Sequence, residues 1–103
     1  MARYQLSVRA QSDLDEIADY TINTFGIEQA RRYRDSLETC FQTLAESPLL
    51  GRSAAQLSPD LRRYEIQLHV VFYILTETGV LIVRVLHERR DASKQINPSS
   101  EHK

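Results

Sequence analysis

Cysteine occurs once in the 103 residues, glycine and proline three times each, and lysine only twice. The lone Cys40 has no partner for an intrachain disulfide and no second thiol with which to hold a metal, so it reads as a buried core residue. No apolar run approaches the roughly 18 residues needed to span a bilayer. The N-terminus, Met-Ala-Arg-Tyr-Gln-Leu, opens on polar/apolar alternation rather than on a signal peptide, and a cytoplasmic location without membrane association is expected. Neither charge sign is in excess: thirteen Lys plus Arg against fourteen Asp plus Glu leave a net charge of −1. A chain so balanced exerts little net pull on a polyanion. With 42% apolar and 26% charged residues, composition is that of a globular chain and excludes a disordered or collagen-like one. There is material for one core, and no metal or cofactor is called for.

The periodicities divide the chain. Tyr4, Leu6 and Val8 alternate with Arg3, Gln5 and Ser7 as a half-buried strand. From about Ala10 to Thr24 the period becomes helical, with Leu14, Ile17, Ala18, Thr21 and Phe25 on one face and Asp15, Glu16, Asp19 and Asn23 opposite. Ser12 and Asp15 fit a capping box, and Gly26 ends the helix. A second helix is predicted from about Ile27 to Glu46, with Ala30, Tyr33, Leu37, Cys40, Phe41 and Leu44 as its stripe. Glu28–Arg32, Arg31–Asp35 and Arg34–Glu38 fall at i, i+4 on its outer face.

Pro48 stops this helix and opens one long loop, Ser47 to Asp60. Three strands follow: Leu61 to Ile66, Val70 to Thr76 and Val80 to His87, with Glu77-Thr78-Gly79 as the last hairpin turn. The last two are apolar on both faces: Val70, Phe72 and Ile74 against Val71, Tyr73 and Leu75, then Leu81, Val83 and Val85 against Val80, Ile82 and Leu86. A helical hairpin covers one sheet face, so the C-terminal tail, a second copy or a separate partner must cover the other. Residues 1–91 read as a single domain, and 92–103 as a polar tail that is frayed or folds on binding.

Laid end to end, several short motifs resemble the ParE family of toxins from type II toxin–antitoxin modules, within the RelE/ParE superfamily. They are Tyr4-Gln5-Leu6-Ser7, Ala10, Asp13-Leu14-Asp15-Glu16-Ile17-Ala18-Asp19-Tyr20, Phe25-Gly26, Ala30, Tyr33, Pro48-x-x-Gly51-Arg52, Leu61-Arg62, His69-Val70-Val71-Phe72-Tyr73 and Arg84-Val85-Leu86-His87-x-Arg89-Arg90-Asp91. The resemblance spans about residues 3 to 91. One departure is Gln67-Leu68, where relatives commonly carry a Gly-containing turn. The resemblance implies an α+β fold of order β-α-α-β-β-β, a helical hairpin packed on a small antiparallel sheet. It also implies a non-enzymatic toxin that binds DNA gyrase and traps it with cleaved DNA. A ParD-like antitoxin, part ribbon-helix-helix and part disordered, would hold it inactive. DNA would be met only indirectly, through antitoxin or gyrase.

The competing expectation from the same superfamily is a ribosome-dependent endoribonuclease of the RelE/YoeB type. Such an enzyme needs an acid–base pair and a cation for the scissile phosphate. His87, with Arg62 or Arg63, would be its machinery. Against this, Glu88 stands where YoeB-like enzymes carry Tyr, and Gly51-Arg52-Ser53-Ala54-Ala55-Gln56 has no carboxylate where they place their acid–base Glu. The near-neutral charge also suits a protein target better than RNA. Residues 1–50 carry five basic and eight acidic side chains, and 51–103 eight and six. The expected antitoxin-facing residues are Leu14, Ile17, Tyr20, Tyr33 and Leu37, in a groove of the helical hairpin that continues over an open sheet face. The expected target-facing residues are Arg84, His87, Arg89 and Arg90, unless Arg89 and Arg90 pair with Glu88 and Asp91.

Overall fold

A computed structural model describes residues 2–96. Strand β1 (Arg3–Leu6) leads into helices α1 (Val8–Phe25) and α2 (Ile27–Glu46), then strands β2 (Arg52–Ser53), β3 (Arg62–Ile66), β4 (His69–Thr76) and β5 (Gly79–His87), and a short helix α3 (Ala92–Gln95). One sheet runs in the order β1-β5-β4-β3-β2. β1 lies parallel to β5 and every other pairing is antiparallel, so the sheet is mixed rather than purely antiparallel. The short β2 sits inside the segment expected to be all loop.

The helical hairpin forms as its periodicity dictates. Gly26, at φ +95°, takes a conformation disfavoured for residues with a Cβ and lets α2 start one residue after α1 stops. α2 buries Ala30, Tyr33, Leu37, Cys40, Phe41 and Leu44 as expected, and also Ala45. Of its outer-face pairs, Arg34–Glu38 is made at 3.7 Å, while Arg31 turns instead to Glu28 at 3.8 Å. Both are solvated pairs of little weight. α1 departs from expectation at both ends. It begins at Val8, four residues before the proposed Ser12 cap, because Ser7 accepts the Ala10 N–H at 2.9 Å. Phe25 lies 65% exposed, and the buried residues of α1 are Ala10, Thr21 and, unexpectedly, Asp13.

Asp13 closes the sheet edge. β1 pairs with β5 only as far as Leu6 opposite Ile82. Beyond that point α1 supplies the missing edge. The Ser7 N–H donates to the Ile82 carbonyl at 2.9 Å, its hydroxyl to the Val83 carbonyl at 2.7 Å, and the Asp13 carboxylate accepts the Val85 N–H at 2.9 Å. Arg84 then grips the same carboxylate with two bonds, Nε at 2.8 Å and Nη2 at 2.9 Å, and donates Nη1 to the Gln95 carbonyl at 3.1 Å. The guanidinium thus ties α1, β5 and α3 together. Arg84 is 8% exposed, so it is absent from the surface patch in which it was expected.

A bulge accommodates this arrangement. Phe72 faces Arg84 while Tyr73 faces Ile82, leaving Val83 as an extra residue on β5. Strict alternation is therefore broken: Val80, Ile82 and Val85 share the helix-facing core, and Val83 and Leu86 lie on the opposite face. Val85 and Leu86 have exchanged the sides assigned to them by period two. The final hairpin turn is Glu77-Thr78 alone, with Gly79 already in β5. A Cβ at Gly79 would strike the backbone of Arg3, which fixes glycine there. At the other hairpin, Gln67 adopts φ +50° without glycine.

The second sheet face is covered. Val70, Phe72 and Leu86 pack with Ala54 and Leu61 from the long connection and with Ile96 after α3. Tyr73 anchors that connection, donating to the Pro48 carbonyl at 2.7 Å and accepting the Gly51 N–H at 2.9 Å. Arg62 also donates to the Gly51 carbonyl. The open sheet face expected to take a partner is therefore closed by the chain itself. The tail begins as structure, with Asp91 capping α3 through the Ser93 N–H at 3.0 Å. The rest of the expected frayed tail, 97–103, lies outside the described residues.

Asp13→Ala strands a buried guanidinium, and equilibrium urea unfolding should show a loss of about 3–5 kcal/mol. The double variant Asp13→Leu/Arg84→Met should recover most of it; equal losses in both would deny the pair its role. Ile96→Ala should cost about 2 kcal/mol, at the low end for such truncations because a terminal element frays easily.

Candidate interaction cleft

A depression of about 530 Å³ lies between the second half of α1, the start of α2, the β3–β4 turn and the end of β5. Its wall is apolar: Ile17, Tyr20 and Phe25 from α1, with Leu68 from the turn. Tyr20, Phe25 and Leu68 are all more than half exposed, which groups three large apolar side chains around one opening. The floor includes Tyr33, His69, His87 and Val85, and the lip carries Arg89 and Arg90.

The floor is polar in composition, and two of its groups are held neutral. The Tyr33 hydroxyl and His69 Nδ1 share a hydrogen bond of 2.6 Å, and the His69 and His87 rings meet edge to face at 5.6 Å between centroids. Burial, reinforced by the neighbouring His87 and only partly opposed by Asp13, pushes the His69 pKa down to about 4. Burial, with Cys40 beside it, pushes the Tyr33 phenol up to about 12. At neutral pH both are neutral, and the 2.6 Å contact is a hydrogen bond between neutral groups. His87 Nδ1 accepts the Arg89 N–H at 3.1 Å, which fixes the turn after β5. Burial also raises the Cys40 thiol to about 11, so it stays protonated and inert, as a core cysteine should.

The lip is charged and unpaired. Neither Arg89 nor Arg90 forms an ion pair among the described residues: Asp91 is engaged with Ser93, and the ion pairs involve Arg31, Arg34, Arg52 and Arg84. The surface pairing with Glu88 and Asp91 that would have silenced these cations is not made.

Expected site residues thus distribute as follows. Ile17, Tyr20 and Tyr33 line the main cleft beside His87, Arg89 and Arg90. Leu14 and Leu37 line a separate, smaller groove of about 330 Å³ between the helices, to which Ile17 and Tyr33 also contribute. Leu37 is 3% exposed and belongs to the core. Arg62 and Arg63 are elsewhere. Ile66 is paired with His69, which is paired with His87, but Arg62 lies four residues further along β3. At roughly 3.3 Å per residue that is about 13 Å along the strand. Arg63 points to the other face, with its guanidinium carbon 5.6 Å from the Phe72 ring centroid. Sequence periodicity missed Phe25 and Leu68 as cleft residues, because Phe25 was assigned to the buried stripe and Leu68 to a bare turn.

Comparison with known proteins fits this geometry to a class. The family described as "ParE toxin of type II toxin-antitoxin system, parDE" matches residues 4–92. Toxin ParE1 of Mycobacterium tuberculosis (strain CDC 1551 / Oshkosh) is 35% identical over 96 residues, 92% of this chain and 98% of that protein. Toxin ParE1 of Caulobacter vibrioides is 39% identical, covering 89% of this chain and 95% of its own length, and Toxin ParE of Escherichia coli is 37% identical, covering 88% and 89%. A solved chain from the chromosomal ParDE TA system of P. aeruginosa shares the fold at TM-score 0.69 and 21% identity, over 84% of this chain and 96% of that one. Such likeness makes this protein a toxin of a type II toxin–antitoxin system. Within that class, the chain belongs to the ParE toxin family.

The histidine on the cleft floor gives a pH test. Unfolded His69 takes up a proton near its ordinary pKa of 6.5 and folded His69 only near 4. Its contribution to stability is therefore complete above about pH 6.5 and declines as pH falls towards 4. Urea unfolding from pH 7.5 to 4.5 should show wild type losing more stability than His69→Gln, and NMR titration of the ring should show no protonation step at pH 6–7.

Proposed function

We propose that this chain arrests growth by binding a protein target, DNA gyrase, and stabilising its complex with cleaved DNA, without cleaving a bond itself. A ParD-like antitoxin neutralises it, docking on the helical hairpin at Leu14, Ile17, Tyr20 and Tyr33. Leu37, buried beneath them, serves as support for the groove.

One observation carries the preference for a binder over a nuclease. The residues that an endoribonuclease would need, His87 with Arg62 or Arg63, are not gathered: one arginine stands far along β3 and the other on the opposite sheet face. General acid–base catalysis on a phosphodiester requires base, acid and cation within hydrogen-bonding reach of one group. Around His87 there is an apolar wall with a neutral histidine and a neutral tyrosine, and the cations that share its cleft are Arg89 and Arg90 on the lip. Membership of the ParE family supports the same reading, and charge balance favours a protein over RNA.

Purified protein should inhibit supercoiling by gyrase at micromolar concentration and accumulate linear, protein-linked DNA. It should leave message intact in a translation extract. Message cleavage that disappears in His87→Ala would replace this reading with the RelE/YoeB-type alternative.

A further inference from the structure

Three arginines stand in one row across the sheet. Arg52 on β2 lies opposite Arg63 on β3, Arg63 opposite Phe72 on β4, and Phe72 opposite Arg84 on β5. Directly opposed residues share a face, so Arg52, Arg63 and Phe72 lie on the face away from the helical hairpin. Two of the three guanidiniums have their acid: Arg84 is held by Asp13 at 2.8 Å, and Arg52 reaches Glu65 at 3.1 Å. Arg63 has no such acid. It forms no ion pair among the described residues, its Nε is buried without a hydrogen-bond partner, and its guanidinium carbon stands 5.6 Å from the centroid of the Phe72 ring.

A cation so placed is costly to the fold. An aliphatic side chain would cover Phe72 without giving up hydration, and a ring face repays only part of what a desolvated guanidinium loses. What the charge provides is a fixed cation, positioned by the ring, with Arg52 beside it and 68% of the Arg52 side chain in solvent. Glu65 is the acid beside this pair, so two cations stand against one carboxylate. Neither arginine lines the cleft, which sets this surface apart from it.

The surroundings select the partner. Between Gly51 and Ile66 no large apolar side chain is exposed, and the exposed residues next to Arg52 along the chain are Ser53, Ala55 and Gln56. A protein partner draws its affinity from apolar or aromatic anchors, which this stretch does not offer. Nucleic-acid phosphates are held by arginine with small polar side chains and backbone N–H groups, which it does. Two cations reach only one or two phosphates, too few to hold free DNA at physiological salt. The contact therefore counts where a protein surface already brings the DNA close, and a near-neutral chain can make it.

We infer that Arg63 and Arg52 bind the phosphate backbone of the DNA held by the target, so that the toxin meets its protein target and the DNA through separate surfaces. The inference rests on the proposed gyrase reading and adds a direct DNA contact to it.

The test titrates the labelled full chain into gyrase with and without linear duplex DNA. Wild type should bind about tenfold tighter when DNA is present, an advantage that shrinks as salt rises. Arg52→Gln/Arg63→Gln should bind gyrase alone as wild type does, lose most of that advantage and flatten its salt slope by about two; Arg52→Lys/Arg63→Lys should keep most of both. Arg52→Gln alone, at an exposed position, should flatten the slope by about one, which decides the matter even if Arg63→Gln does not fold. Antitoxin affinity should be the same in every variant. A photo-crosslinker on Ser53→Cys, whose thiol is the reactive one because Cys40 is buried, should attach to DNA. Equal affinity with and without DNA, an advantage that the Gln variants leave untouched, or crosslinking to gyrase protein alone overturns the inference while leaving gyrase as the target. A wild-type chain that binds gyrase in neither condition refutes the proposed function, and this inference with it.

Discussion

The fold depends on how one sheet edge is finished. β1 is only four residues long, while β5 runs to nine, so half of β5 would present unpaired backbone groups. The chain does not add strand. It turns immediately into α1 and lays Ser7 and Asp13 along the vacant edge, so that side chains do what a neighbouring backbone would have done. The Asp13 carboxylate, taken out of water for this purpose, needs a counter-charge, and the β5 bulge at Val83 brings Arg84 to supply it. Breaking such a buried pair costs far more than never having had it, because the surviving charge is left in the interior without its counter-charge. Position of α1, twist of β5 and seating of α3 through the Gln95 carbonyl thus share one guanidinium.

That arrangement also makes the cleft. α1 is fixed at its N-terminal half by Ser7 and Asp13, while its C-terminal half carries Tyr20 and Phe25 past the end of the sheet. β5 emerges beneath it and ends in His87, so the residues after it rise as a lip opposite α1. The cleft is the space left between a helix that overruns its sheet and a strand that stops short of it. Among the described residues no element covers its apolar side chains, whereas the far face has the long connection and Ile96.

Much of this was readable from the residues, and the failures have a common cause. α2 was legible almost to the residue because its stripe repeats over five turns and no partner is needed to define it. β4 was legible because both its faces are apolar. The hairpin break at Gly26 followed from local backbone preference. What escaped notice depends on contacts between distant segments: Asp13 and Arg84 are 71 positions apart, and the bulge that joins them is set by that contact rather than by the local pattern of β5. Two signals were nonetheless present. Asp13 sits between Ala10 and Ile17 at helical spacing, inside the apolar stripe, and Arg84 interrupts an otherwise apolar strand. A carboxylate and a guanidinium that each break an apolar pattern are candidates for each other. Gln67 at positive φ had no signal in its own residue type, only in its standing where relatives commonly carry a Gly-containing turn, since the tight two-residue turn that demands it is imposed by the register of β3 on β4. The cleft was half legible for a related reason: helical periodicity placed Tyr20 outside the core, but only the sheet's end shows that it faces Arg89 and Arg90.

The same geometry explains why a floor holding two histidines and a tyrosine is better suited to recognition than to proton transfer. A general base works when its pKa lies near the ambient pH. His69, with its pKa lowered to about 4, is too weak a base at neutrality, and Tyr33, raised to about 12, too weak an acid. Their mutual hydrogen bond orients two rings and satisfies two half-buried polar groups without leaving either ready to exchange a proton with a ligand. Arg89 and Arg90 stand in solvent at the rim, and the buried Asp13 carboxylate is held by Arg84. A floor of hydrogen-bonded rings with charged residues at the rim divides the work as protein interfaces do: apolar anchors supply the affinity and rim charges the direction of approach. A near-neutral net charge is then no obstacle to binding, because what a partner meets at the opening is the local charge of Arg89, Arg90 and Glu16, with neither arginine in an ion pair among the described residues, rather than the average of the whole chain.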